Sequence, residues 1–343
     1  MSVDWRHSTD WLKVVGLSPT DTPALAERAV ASAHRLREAR TAVAALLPPE
    51  SAGLAAWAVG SLGRMEHADA VSDLDLVTVH DPGVVDEAGA LELHDALAEP
   101  LRGAGFEVSE KTFAEPLSID ELVENIGGTN DSNRRLTYRA LLLTEGAPLH
   151  DAATCAAFRD RILASYRSGP ARGRSLISLS NDLHRYYRTI CVDYRYKVEE
   201  AGKSWALRNL KLRHSRKLWH LAMLALQCAG QDHLRAGDQE AHDAWVLGHL
   251  DLPPARKLVL AMNDLGHADA CTEILRRFDA FLAGISSPEL RGLLENLEPG
   301  GEKEQPLVAQ LFENARGFDE AAAQVVDVLL EVKRRFVVRF HLL

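Results

Sequence analysis

Short apolar runs that read as strands all lie before about residue 115, and helical periodicity dominates the rest of the chain. Apolar recurrence predicts a helix over 23–47, with Thr22 placed to cap it, Pro23 in its first turn and Pro48-Pro49 to stop it. Residues 54–60 (LAAWAVG) read as a buried strand, and 73–79 (DLDLVTV) alternate like a second one. A helix is expected over 84–103, then a third strand over 105–113 after two glycines. From about 118 onward the spacing is helical, broken near 127–128, 146–148, 168–173, 230, 253–254 and 299–301. The pattern predicts a small α/β unit over 1–167 and an all-helical domain over 174–343, joined by SGPARG (168–173). The fold class is therefore α+β.

Composition narrows the function classes. The 343 residues include 39 Lys+Arg and 49 Asp+Glu, a formal net charge of −10. That balance argues against generic nucleic-acid coating, while leaving room for a local basic pocket. Four widely separated cysteines, with no CxxC pair, exclude a disulfide scaffold and a zinc ribbon. The polar first residues carry no signal-peptide core and no run of 18 apolar residues occurs, so a cytoplasmic protein with no membrane partner is expected.

One segment carries chemistry: GSLGRMEHADAVSDLDL, residues 60–76. Asp73 and Asp75, two apart on a strand, point to one face. Two such carboxylates repel each other, and a hard divalent cation with oxygen ligands removes that cost. Gly60 lets backbone N–H approach a phosphate, and Ser61 offers it a hydroxyl. Arg64 adds a planar guanidinium suited to phosphate or carboxylate. Together these residues suit two-metal phosphoryl transfer.

The pattern GS-L-G-R-x-E followed by S-D-L-D resembles the signature of the polymerase-β-type nucleotidyltransferases. Within that superfamily it is similar to the bacterial branch of nitrogen-regulatory-protein uridylyl- and adenylyltransferases, and to signalling nucleotidyltransferases known only by domain. The likeness covers about residues 50–155 and includes TNDSNRRLTYRALLLTEGAPLHD (129–151). It implies a small mixed-sheet palm with its catalytic core there. Gly60 and Ser61 would bind nucleotide phosphates, and Asp73 and Asp75 would bind two Mg²⁺ ions, with Mn²⁺ as a substitute. Arg64 and Glu66 match the extended signature.

The family often places a third carboxylate on the next strand. Phe106, Val108 and Glu110 share one face of FEVSEKTF, and Glu107, Ser109 and Lys111 share the other, so only one glutamate can face the metals. Glu110 is preferred because the family's sequence beyond it aligns more naturally, with Glu107 or neither as the alternatives.

The implied activity is transfer of a nucleoside monophosphate from an NTP, ATP or UTP first, to a hydroxyl or phosphate acceptor on a protein or small molecule, with release of pyrophosphate. The alternative is a nucleotide-binding regulatory or toxin–antitoxin-type protein with a weak or inactive palm. A triphosphate also needs cations from outside an acidic palm. On a helical wheel for 203–224, Arg208, Lys211 and Ser215 cluster beside the apolar stripe, while Arg213, Arg216 and Lys217 project away. The first set, with Arg188 from the helix before it, supplies the nucleotide-binding candidates. His214 joins the apolar stripe and reads as a packing residue.

Overall fold

The computed structural model describes residues 8–44, 53–68, 73–109, 113–167, 176–199, 202–235 and 239–342. The expected linker at 168–173 and the preferred third carboxylate, Glu110, lie outside these. The chain divides into two units, one of residues 28–176 with 251–253, the other of 8–27, 177–250 and 254–343.

Among its described residues the first unit holds a small mixed sheet of five strands: β1 (Leu54–Val59), β2 (Asp73–His80), β3 (Glu107–Val108), β4 (Leu117–Ser118) and β5 (Ala147–His150). The order is β3-β2-β1-β5, with β4 also pairing β2. β1 runs antiparallel to β2 and β5, and β2 runs parallel to β3 and β4. β1 is buried along its whole length, so it reads as an unbroken apolar run instead of an alternating one. Leu54, Ala56 and Ala58 of β1 share a core with Leu74 and Leu76 of β2. Leu36 and Val43 of helix α1 (Pro23–Ala44) join it, as do Leu97 and Leu101 of α3 (Glu87–Gly103).

The helices of this unit follow their local signals. Asp86 caps α3 by accepting from the Gly89 N–H, and Ser118 with Glu121 forms a capping box on α4 (Ile119–Val123). Two strands were missed by the sequence reading. β4 has only two residues, and β5 lies where Gly146 and Pro148 announced only a helix break.

The second unit is helical. Its core draws on α8 (Trp205–Lys211), α9 (Lys217–Arg235), α11 (Pro254–Asp264), α12 (Thr272–Ser286), α13 (Pro288–Glu295) and α14 (Pro306–Val337). Residues 8–27 belong here and not to the sheet unit, because Leu12, Val15, Leu17 and Leu25 pack into that core. The start of α1 is tied to it too. Asp279 of α12 accepts the Leu25 N–H at 2.8 Å, whereas the Thr22 hydroxyl donates to the Ser18 carbonyl. A side chain 254 residues away thus does the capping that Thr22 was expected to do.

No described helix is long and apolar enough to cross a membrane. All four cysteines are free thiols. Burial pushes the Cys228 and Cys271 thiols up to about 12.

Candidate functional site

β1 ends at Val59, opposite Asp75 of β2. The chain then turns into α2 (Gly60–Gly63). Gly60 has φ +71°, and a Cβ built there would overlap the Asp75 carboxylate. Glycine is required on two counts, the left-handed backbone and the approach of Asp75. The glycine turn of the motif and its carboxylate half therefore meet in space. Ser61 follows, half-buried.

Asp73 is exposed and Asp75 half-buried, whereas Leu74 between them is buried in the core. Both carboxylates stand on the face away from that core. β3 extends this face. Its register pairs Asp73 with Glu107 and Leu74 with Val108. Phe106 and Val108 are buried with Leu74, and Glu107 is exposed. Glu107, given second place in the sequence reading, thus shares the face of Asp73 and Asp75. The burial of Phe106 and Val108, the residues that flank it, decides this.

Arg64 departs from its expected role. It is 6% exposed, and its guanidinium donates to Glu66 at 3.1 Å and to Glu145 at 2.7 Å. Glu66 and Glu145 are buried with it. The planar fork that suits phosphate here joins two carboxylates inside the protein. Glu145 comes from the end of α5 (Asn133–Thr144), and a Cβ at Gly63 would overlap its carbonyl oxygen. Gly63, Arg64 and Glu66 thus pack the turn against the end of α5. Glu145 is a site-forming residue that the sequence reading missed, since nothing near it in TEGAPLH signals a partner 81 residues upstream.

The remaining candidates belong to the helical unit, where α8 and α9 are joined by a π-helical turn, Leu212–Arg216. That turn corrects the wheel. A regular helix advances about 100° per residue, and i→i+5 bonding inserts an extra residue into the turn. Lys211, expected beside the apolar stripe, is exposed, and Arg208 is half-buried. Ser215 is buried. Arg213 and Lys217, expected in solvent, are partly buried and both hold Asp319 of α14, with Arg213 Nε at 3.0 Å. Those two cations, with the hydrogen bonds they donate, hold the Asp319 carboxyl below the usual carboxylate range against the opposing effect of burial.

Arg188, on α7 (Ile177–Glu199), is exposed. His214 is fully buried, stacked on Phe281 and bonded to the Leu210 carbonyl, and desolvation pushes its pKa down to about 4. It is a packing residue.

Among the described residues, no group of three His, Cys, Asp or Glu side chains forms a preformed metal cage. Mg²⁺ fits the Asp73–Asp75 pair on chemical grounds, because it is commonly held by one or two carboxylates together with substrate phosphates. No family model matches the chain, and no curated protein is significantly similar to it.

Proposed function

We propose that the sheet unit is a Mg²⁺-dependent nucleotidyltransferase palm that moves a nucleoside monophosphate from an NTP to a hydroxyl or phosphate acceptor. The observation that carries this reading is the contact between Gly60 and Asp75. A turn suited to phosphate and a carboxylate suited to a hard cation occupy one place, as phosphoryl transfer with a metal–triphosphate requires. The registration of Glu107 beside Asp73 adds a third carboxylate on the same face. The resemblance of GSLGR and SDLD to the superfamily signature points the same way.

In this reading the Gly60 backbone and the Ser61 hydroxyl orient the phosphates of the incoming nucleotide. Asp73 and Asp75 would hold two Mg²⁺ ions, whose charge would offset that of the triphosphate and make the acceptor more acidic. Glu107 takes the acceptor proton. The acceptor oxygen bonds to the α-phosphorus, the bond from that phosphorus to the α,β-bridging oxygen breaks, and pyrophosphate leaves. Arg64 takes no part beyond fixing the turn. ATP and UTP are the first substrates to test, and the acceptor is a protein side chain or a small molecule.

The test is incubation with each α-labelled NTP and Mg²⁺ in cell lysate. Label should move to one acceptor class, with pyrophosphate released in step. An intact protein that binds no NTP and releases no pyrophosphate with any of the four overturns the proposal.

A further inference from the structure

The segment that returns from the phosphate turn ends on His67, a residue to which the reading above gives no task. His67 is 1% exposed, and its Nδ1 lies 3.4 Å from Ser61 Oγ. Its position is fixed from several sides. Met65 takes the left-handed conformation at φ 61°, which folds the chain back. The Glu66 N–H donates to the Ser61 carbonyl at 2.9 Å. Arg28 donates to the Glu66 carbonyl at 2.6 Å. The His67 N–H donates to the Ser32 hydroxyl at 3.0 Å, and Ser32 is fully buried. These bonds fasten the returning segment, and His67 with it, beside Ser61.

The chemistry of the pair limits what this contact can do. A serine hydroxyl has one proton, and beside His67 that proton stays available to an anion where the ring nitrogen donates to the serine oxygen instead of accepting from it. A neutral imidazole carries its proton on one nitrogen or the other. With the proton on Nε2, the bare Nδ1 would draw the hydroxyl proton away from the phosphate. With the proton on Nδ1, the ring donates to the serine oxygen and leaves the hydroxyl proton for the ligand. We infer that His67 is the positioning residue of the phosphate turn: its Nδ1–H donates to Ser61 Oγ and directs the hydroxyl proton at an anionic phosphate. The inference rests on the nucleotidyltransferase reading for the identity of that anion.

The test combines a double-mutant cycle with a rescue, read as the apparent Kd for the preferred NTP in Mg²⁺. Asparagine sets its amide nitrogen near the place of Nδ1, and glutamine near that of Nε2. His67→Ala should weaken binding about tenfold, the loss expected when a hydrogen bond to charge is spoiled. His67→Asn should restore most of that loss, and His67→Gln should not. In a Ser61→Ala background, His67→Ala should have no further effect, because the group it acts through is gone. Thermal melts of every variant exclude those that no longer fold, and the Asn variant keeps the comparison open if the alanine protein is lost. Additive losses in the double variant, or rescue by Gln and not Asn, overturn the inference while leaving the nucleotidyltransferase reading intact. A wild-type protein that binds no NTP overturns that reading instead.

Discussion

At the scale of single residues, two residues of one motif are held by different neighbours. Gly60 is fixed by φ +71° and by the Asp75 carboxylate beside it. Gly60→Ala must therefore strain the backbone and push Asp75 aside, costing about 1–3 kcal/mol. Chemical denaturation should show that loss, and NTP binding should fall with it. A variant with unchanged stability would mean the turn relaxes freely. Arg64 looked like a phosphate ligand and is instead buried between Glu66 and Glu145. Arg64→Met leaves two buried carboxylates without their cation, so unfolding midpoints should drop by an amount equivalent to about 3–5 kcal/mol. Loss of NTP affinity without loss of stability would restore the phosphate role.

The placement of Gly60 in a turn and of Asp73 and Asp75 on a strand was legible because their spacing reflects local backbone geometry. The fate of Arg64 was not, because Glu145 reaches it only through tertiary packing. The burial of Phe106 and Val108 puts Glu107 on the face of Asp73 and Asp75, while Glu110, the preferred third carboxylate, lies outside the described residues.

At the scale of elements, long apolar runs and capped helices could be read directly, while short or irregular pieces could not. β1 and β2 match the expected strands to within a residue. β5 has four residues and includes a proline, and it joins the sheet only because β1 offers an antiparallel edge. The π turn at Leu212–Arg216 is the clearest failure of periodicity. A single slip there exchanges the expected surroundings of Lys211 and of the Arg213–Lys217 pair. Asp319→Ala removes the common partner of Arg213 and Lys217, two partly buried cations. It should lower the thermal midpoint of the protein clearly, whereas Lys211→Ala, at an exposed position, should stay within about 0.5 kcal/mol of wild type. Equal effects of the two would put the helix phase in doubt.

At the scale of the whole molecule, the helical unit carries a pH liability in its buried histidines. His214 is pushed down to about 4 by burial. His220 and His341, which flank His184 in one hydrogen-bonded cluster, are pushed to about 3, mainly by burial. In the unfolded chain these groups titrate near 6.5. The unfolded state therefore binds more protons between about pH 6.5 and 4, and stability falls as pH drops through that window. Denaturant midpoints should be flat above pH 7 and decline below 6.5, and His214→Asn should shallow the decline. A midpoint independent of pH from 7 to 5 would contradict the buried, neutral state of these rings.

The net charge of −10 would make the proposed triphosphate site costly without cations. With Arg64 committed to Glu66 and Glu145, the Mg²⁺ expected at Asp73 and Asp75 becomes the main source of positive charge in the proposal. The most direct test is Mg²⁺-dependent pyrophosphate release by wild type and by Asp75→Asn, with thermal melts of both in the absence of metal. Activity should fall to background in the variant, at equal or greater metal-free stability, since one of two repelling carboxylates has been neutralised. An Asp75→Asn protein that keeps most of its Mg²⁺-dependent release would contradict the proposal.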